Sequence, residues 1–208
     1  MTTANDRGSR ASGSDDARIG GALPDWVVQE LPPAYADIAR QIQALREQAA
    51  AFEGVAGVLW QDGPPLVSAL AELFGALEFG TEAMGGGAGY DLRVDLEGNR
   101  RLLLIVVGGD EQLDRRSPQL AKILRVLQED AGERDRVVLA ANLFARMPVA
   151  SRPQDQVAIE AMRLIQGLGA NFVPTSALFG IWKASLQDRA QAKRSVMNLH
   201  AMDGGIFR

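Results

Sequence analysis

The chain has 208 residues, 47% hydrophobic and 23% charged, which suits one domain with a full core plus appendages and excludes a fibrous or wholly disordered chain. Asp and Glu total 26 against 22 Lys and Arg, so the net charge of −4 is too small to select a polyanionic or polycationic partner. The lack of cysteine excludes disulfides and thiolate metal sites, and a polar start with no long apolar run reads as a cytoplasmic, unprocessed protein with no membrane segment.

Residues 1–22 are rich in Gly, Ser, Asp, Arg and Ala, with Ile19 the sole large aliphatic residue after Met1. Such a stretch buries too little surface to offset its ordering entropy and is expected to be a disordered tail. The next segment, 23–54, is expected to be an amphipathic helix. After Pro32 and Pro33, apolar positions fall at Tyr35, Ile38, Ile42, Leu45, Ala49 and Phe52, alternating steps of three and four. That is a coiled-coil-like seam of about five turns, and self-association through 33–52 is expected from it. Asp62, Gly63, Pro64 and Pro65 break the chain and open a new helix with Pro in its first turn and Leu66, Leu70, Leu73, Phe74 and Leu77 on one face.

A weak first strand is expected around 77–82, and the glycine run 80–89 reads as a hairpin connection, since no strand–loop–helix context or Gly-Lys-Ser/Thr accompanies it. Residues 90–95 alternate apolar and polar, Glu97, Gly98 and Asn99 supply turn chemistry, and 101–109 holds the apolar run Leu102 to Val107. A run of this kind reads as a strand covered on both faces, at the centre of a sheet. A helix over 118–130 turns Leu120, Ile123, Leu124 and Leu127 inward, and 137–141 is a second buried strand. Then come a loop at 142–153, a helix over 154–168, a short strand at 171–174 and a last helix over 176–187 carrying Leu178, Ile181 and Trp182. The expected fold class is α/β, a mixed sheet flanked by helices.

From about residue 59 to the end, and more loosely from Trp26, this order resembles the restriction-endonuclease-like (PD-(D/E)xK) superfamily, in particular bacterial members with a helical segment before the nuclease domain. The residues that carry the resemblance are Leu59 to Gly63 with Leu66, Val67 and Leu70, then Tyr90 and Asp91, then Ile105 to Gly109. Gln119 and Leu120, Val138 to Asn142, and Arg152 follow. The resemblance implies a restriction-endonuclease-like domain over 55–208. It also implies that active relatives hold Mg²⁺ between the strand Asp and a carboxylate on the next strand, with a lysine two positions further on. Spacing i, i+2 puts that last pair on one face of a strand, and magnesium requires hard oxygen ligands.

The chain departs from the pattern where the chemistry lies. Val106 stands at the Glu position, Gly108 at the Lys position and Val67 at the helix Glu position, leaving a vestigial Asp91. No catalytic residue and no cofactor is therefore expected, and the chain reads as a catalytically inactive nuclease-like scaffold or regulatory domain with a protein partner. The alternative is a Mg²⁺-dependent nuclease whose ligands have migrated to Asp91 with Asp110 or Glu111, with Lys122 as the lysine. A third reading is a DNA- or RNA-binding module that does not cut. His200, the one histidine, supports neither a zinc site nor a Ser-His-Asp triad, and Trp26, Trp60 and Trp182 read as core or interface anchors. Arg134, Arg136, Arg146 and Arg152 could rim one side of the sheet, but interspersed acids favour a mixed surface.

Overall fold

A computed structural model describes residues 23–85 and 88–207. The tail reading over 1–22, and the middle of the glycine run at 86–87, lie outside the described residues. The chain divides into two units between Glu47 and Gln48.

In the first unit, α1 (Asp25–Glu30) is followed by the start of α2 (Pro33–Ala56). No described side chain of 23–47 is buried, and Trp26, Ile38 and Leu45 are largely exposed.

The second unit holds the rest of α2, α3 (Gly63–Ala76), α4 (Pro118–Glu129), α5 (Ile159–Gly167), α6 (Thr175–Ser185) and α7 (Arg189–Ala201). These surround a six-stranded sheet in the order β1 (Gly80–Ala83), β2 (Leu92–Leu96), β3 (Arg100–Gly109), β4 (Asp135–Leu143), β5 (Asn171–Pro174) and β6 (Gly205–Ile206). The first three strands are antiparallel and the rest parallel. The β2–β3 hairpin turns at 97–99, with Gly98 and Asn99 at positive φ. Period-two alternation sorts β3 between two cores. Leu102 and Leu104 face α3, α6 and α7, while Leu103, Ile105 and Val107 face α4 and α5. That double covering is why the run Leu102 to Val107 is continuously apolar. At the other end of the sheet, Arg101 grips the buried Asp135 carboxylate with bonds of 2.7 and 2.6 Å, and this hydrogen bonding raises the guanidinium above its ordinary pKa.

The structure corrects several element readings. The first strand starts at Gly80, because α3 runs on to Ala76 and closes with Glu78 at positive φ and Phe79 N–H on Phe74 O. On α4 the third inward residue is Val126, and Leu124 faces solvent. The helix expected from 154 begins at Ile159, since the preceding residues form a bridge from Val157 to Leu113. The helix over 176–187 is not the last: α7 and β6 follow. Trp60, like Trp26, is exposed, whereas Trp182 is buried.

Candidate functional site

The hairpin fixes the residue around which a site could form. Leu92 pairs with Leu104, and the ladder runs one residue further through Asp91 N–H on Leu104 O at 2.8 Å and Met84 N–H on Asp91 O at 2.9 Å. Beyond that point β2 no longer covers β3. The Val106 N–H, which would otherwise lack a strand partner, is bonded by Asp91 Oδ2 at 2.8 Å. The other oxygen, Oδ1, accepts from Lys122 Nζ at 2.6 Å.

Lys122 reaches Asp91 because the end of the glycine run lies along α4. Gly89 N–H bonds Asp130 Oδ2 at 3.2 Å, and a Cβ at Gly89 would stand 2.8 Å from Val126 Cγ2. Val126 and Lys122 are one helical turn apart on one face, so two residues of chain carry the backbone from Gly89 to Asp91 beside the ammonium. A side chain at Gly89 would have to displace the ends of the Asp130 and Val126 side chains.

Around Asp91 the surface is mostly apolar. A cleft of about 350 Å³ is lined by Pro64, Val67, Met84, Asp91 and Val106 among others. The position two residues beyond Val106 is filled. A Cβ at Gly108 would lie 2.8 Å from Asp62 Cα and 2.7 Å from Asp62 Cβ, so the backbone entering α3 occupies the space of any side chain there.

That entering segment is held from β4. Asn142, fully buried, donates to Gln61 O at 2.8 Å and accepts from Arg152 Nη1 at 2.8 Å. Arg152 also donates through Nη2 to Leu59 O and through Nε to Met147 O at 3.1 Å. Burial lowers the guanidinium from its ordinary pKa, yet its donors are spent on carbonyl and amide oxygens inside the fold. Asn142 and Arg152, which the sequence reading placed in the motif series, tie residues 59–62 against Gly108.

The structure brings Lys122 to Asp91 but not Asp110 or Glu111. Those two line a separate cleft at the start of α4 with Gly109 and Ser117, and Asp110 pairs with Arg146 at 2.9 Å. His200 lies in α7 with Nε2 3.0 Å from Arg134 O, a link between that helix and the turn before β4. Among the described residues no group of three His, Cys, Asp or Glu side chains could hold a metal ion. Magnesium, which the resemblance implies for active relatives, does not fit the residues around Asp91. Both carboxylate oxygens are engaged, and Val67 and Val106 offer no donor. Sequence reasoning set Lys122 with Asp91 only in the migrated-site alternative and missed that its ammonium binds the carboxylate directly; it also missed the filling of Gly108 by Asp62. The close-packed Gly89 near a lysine-bearing helix was a signal for the first; nothing local signals the second.

No family model and no curated protein matches the chain. Among solved structures it is similar to the restriction endonuclease FokI bound to DNA, with 11% identity, 76% of this chain covered and a TM-score of 0.48. The match spans 30% of the FokI chain's length.

Proposed function

We propose that this chain is a non-cleaving, nuclease-like domain that acts by binding another protein as a scaffold or regulatory element. One observation carries the reading: Asp91, the single carboxylate left of the motif, is consumed in holding Val106 N–H and the Lys122 ammonium. A positive charge of the protein's own stands against the carboxylate, and valines and a filled glycine position stand where ligands and a lysine would be needed. Phosphodiester hydrolysis in this style requires a metal as Lewis acid or nucleophile generator, and one occupied carboxylate does not assemble such a centre. A fold can outlive its chemistry.

The test is cleavage of DNA and RNA by pure protein with Mg²⁺ or Mn²⁺, alongside calorimetric titration of the same ions. The reading expects no cleavage and no saturable ion binding. Metal-dependent cleavage abolished by Asp91→Ala would overturn it. That outcome would support the migrated-site reading, whose lysine, Lys122, lies beside Asp91, with Asp110 or Glu111 recruited by rearrangement of the loop that Arg146 now holds. Binding of nucleic acid without cutting ranks lower, because Arg136, Arg146, Arg189 and Lys193 are each paired with a nearby acid of this chain. Its signature would be affinity falling steeply with salt.

A further inference from the structure

Among the described residues, α2 carries a stripe of exposed large apolar side chains: Tyr35, Ile38, Leu45 and Phe52. Taking Tyr35 as heptad position a, the a positions are Tyr35, Ile42 and Ala49, and the d positions are Ile38, Leu45 and Phe52. Ile38 and Leu45 are 54% and 64% exposed, and no described side chain of 33–54 is buried. Three heptads of this kind do not stay bare in water when a partner is available.

We propose that the occupant is a second copy of this chain, paired with α2 as a parallel, in-register two-helix coil over Tyr35 to Ala49. The central layer of Ile42 and Leu45 suits two strands, because β-branched a with Leu at d is the combination that favours two strands in a parallel coil. The flanks agree. In register, each g residue faces the e residue of the following heptad in the other copy, so within the seam Gln41 meets Arg46. Each charged group meets an amide, and no like charges oppose one another. The outward charges are satisfied within the helix, Arg40 by Asp37 and Glu47 by Gln43 Nε2 at 2.8 Å, so the charged surface selects no acidic or basic partner. An antiparallel pairing of the same stripe would set Arg46 against Ala39 and needs Phe52 opposite Tyr35. Phe52 instead packs edge-on against Trp182, ring centroids 5.7 Å apart, which ends the seam at Ala49 and leaves antiparallel pairing without its terminal layers.

The chain's lack of cysteine makes the test clean. Full-length protein is examined by light scattering at about 100 µM, and the variants Ala49→Cys and Ala44→Cys are oxidised in a glutathione buffer. The expected result is a dimer mass for wild type, a disulfide-linked dimer for Ala49→Cys, and little for Ala44→Cys, which lies on the outward face. A disulfide requires Cα atoms within about 7 Å. Antiparallel pairing would hold the two positions 49 about 16 Å apart along the axis. Monomeric wild type overturns the proposal, as does Ala49→Cys linking no faster than Ala44→Cys. A third variant, Leu45→Asp, is expected to be monomeric with an unchanged thermal transition for the sheet domain. A dimer that survives Leu45→Asp also overturns it.

Discussion

Lys122 Nζ lies 2.6 Å from Asp91 Oδ1, and it joins the helix after the central hairpin to the residue where that hairpin opens. The pair is part-buried, with about a third of each side chain exposed, so its Coulombic worth is discounted for solvent. The larger share lies in the Val106 N–H, which Asp91 alone satisfies at this edge. Asp91→Ala is therefore expected to cost about 1 kcal/mol, the low end of the range for leaving a donor without its acceptor, because the Val106 N–H is only part-buried beside the cleft. Lys122→Met, which keeps the stem, should cost less, and the double variant should show a coupling of about 1 kcal/mol. Urea unfolding of the four proteins measures all three. Were Asp91 a leftover catalytic carboxylate with no structural work, Asp91→Ala would be neutral or stabilising.

Asn142 and Arg152 form the second lock. Asn142→Leu keeps the volume but strips the bonds to Gln61 O and Arg152, leaving a part-buried guanidinium short of an acceptor. A loss of about 3 kcal/mol is expected. Proteolysis under native conditions should then begin near 59–62, the segment these side chains hold. A loss below about 0.5 kcal/mol, the level of an ordinary surface change, would show that the network is dispensable.

The sheet was legible where local pattern suffices. The apolar run Leu102 to Val107 announces a doubly covered strand, and it is β3 with cores on both faces. The helix α7 was missed because its buried residues, Ala192, Val196 and Leu199, are few and partly small among polar neighbours. The strand β6 is two residues long and exists through pairing with Asn171 and Phe172, which no window around it contains. At the site, the replacements Val67, Val106 and Gly108 were readable one by one. What each implies was not, because Lys122 lies 31 residues from Asp91 and the chain that fills Gly108 comes from the entry to α3. Contacts between distant segments leave no period or spacing to read.

Glu78 supplies a pH dependence. It sits at φ 64° where the end of α3 would suit glycine, and its carboxylate bonds Lys193 at 2.7 Å and Arg189 at 2.5 Å on α7. The Lys193 hydrogen bond first, then the charges of Lys193 and Arg189, lower its pKa below the ordinary 4.5. A folded-state pKa below the unfolded one contributes stability that is present above about 4.5 and lost as pH falls through the lowered value. Glu78→Gln should thus be less stable than wild type at neutral pH and converge with it in acid. Thermal unfolding from pH 7 down to about pH 3 follows the difference; a gap that stays constant would mean that the carboxylate's charge contributes nothing. Glu78→Gly relieves the backbone while losing the same ion pairs, so it should outlast Glu78→Gln at every pH.

Restoring the motif by substitution should fail for a steric reason. Val106→Glu places a carboxylate beside the cleft near Asp91, but Gly108→Lys must put a Cβ 2.8 Å from Asp62 Cα, and backbone cannot swing aside as a side chain can. Asn142 and Arg152 hold that backbone in place through Gln61 O and Leu59 O, so the strain spreads into the β4 lock. Gly108→Ala alone is expected to cost about 1–3 kcal/mol, as overpacking does. The double variant Val106→Glu with Gly108→Lys should melt earlier still and show no metal-dependent cleavage, since Lys122 continues to hold Asp91. The conservative arm is Val106→Glu with Lys122→Met, which leaves Gly108 untouched and gives two carboxylates without the ammonium between them and a cation. Mn²⁺ titration of that variant should show weak binding where wild type shows none. Normal stability in Gly108→Ala, or cleavage by the Gly108→Lys double variant, would show that the segment at 61–62 yields to a side chain and that the filled position is not what closes the site.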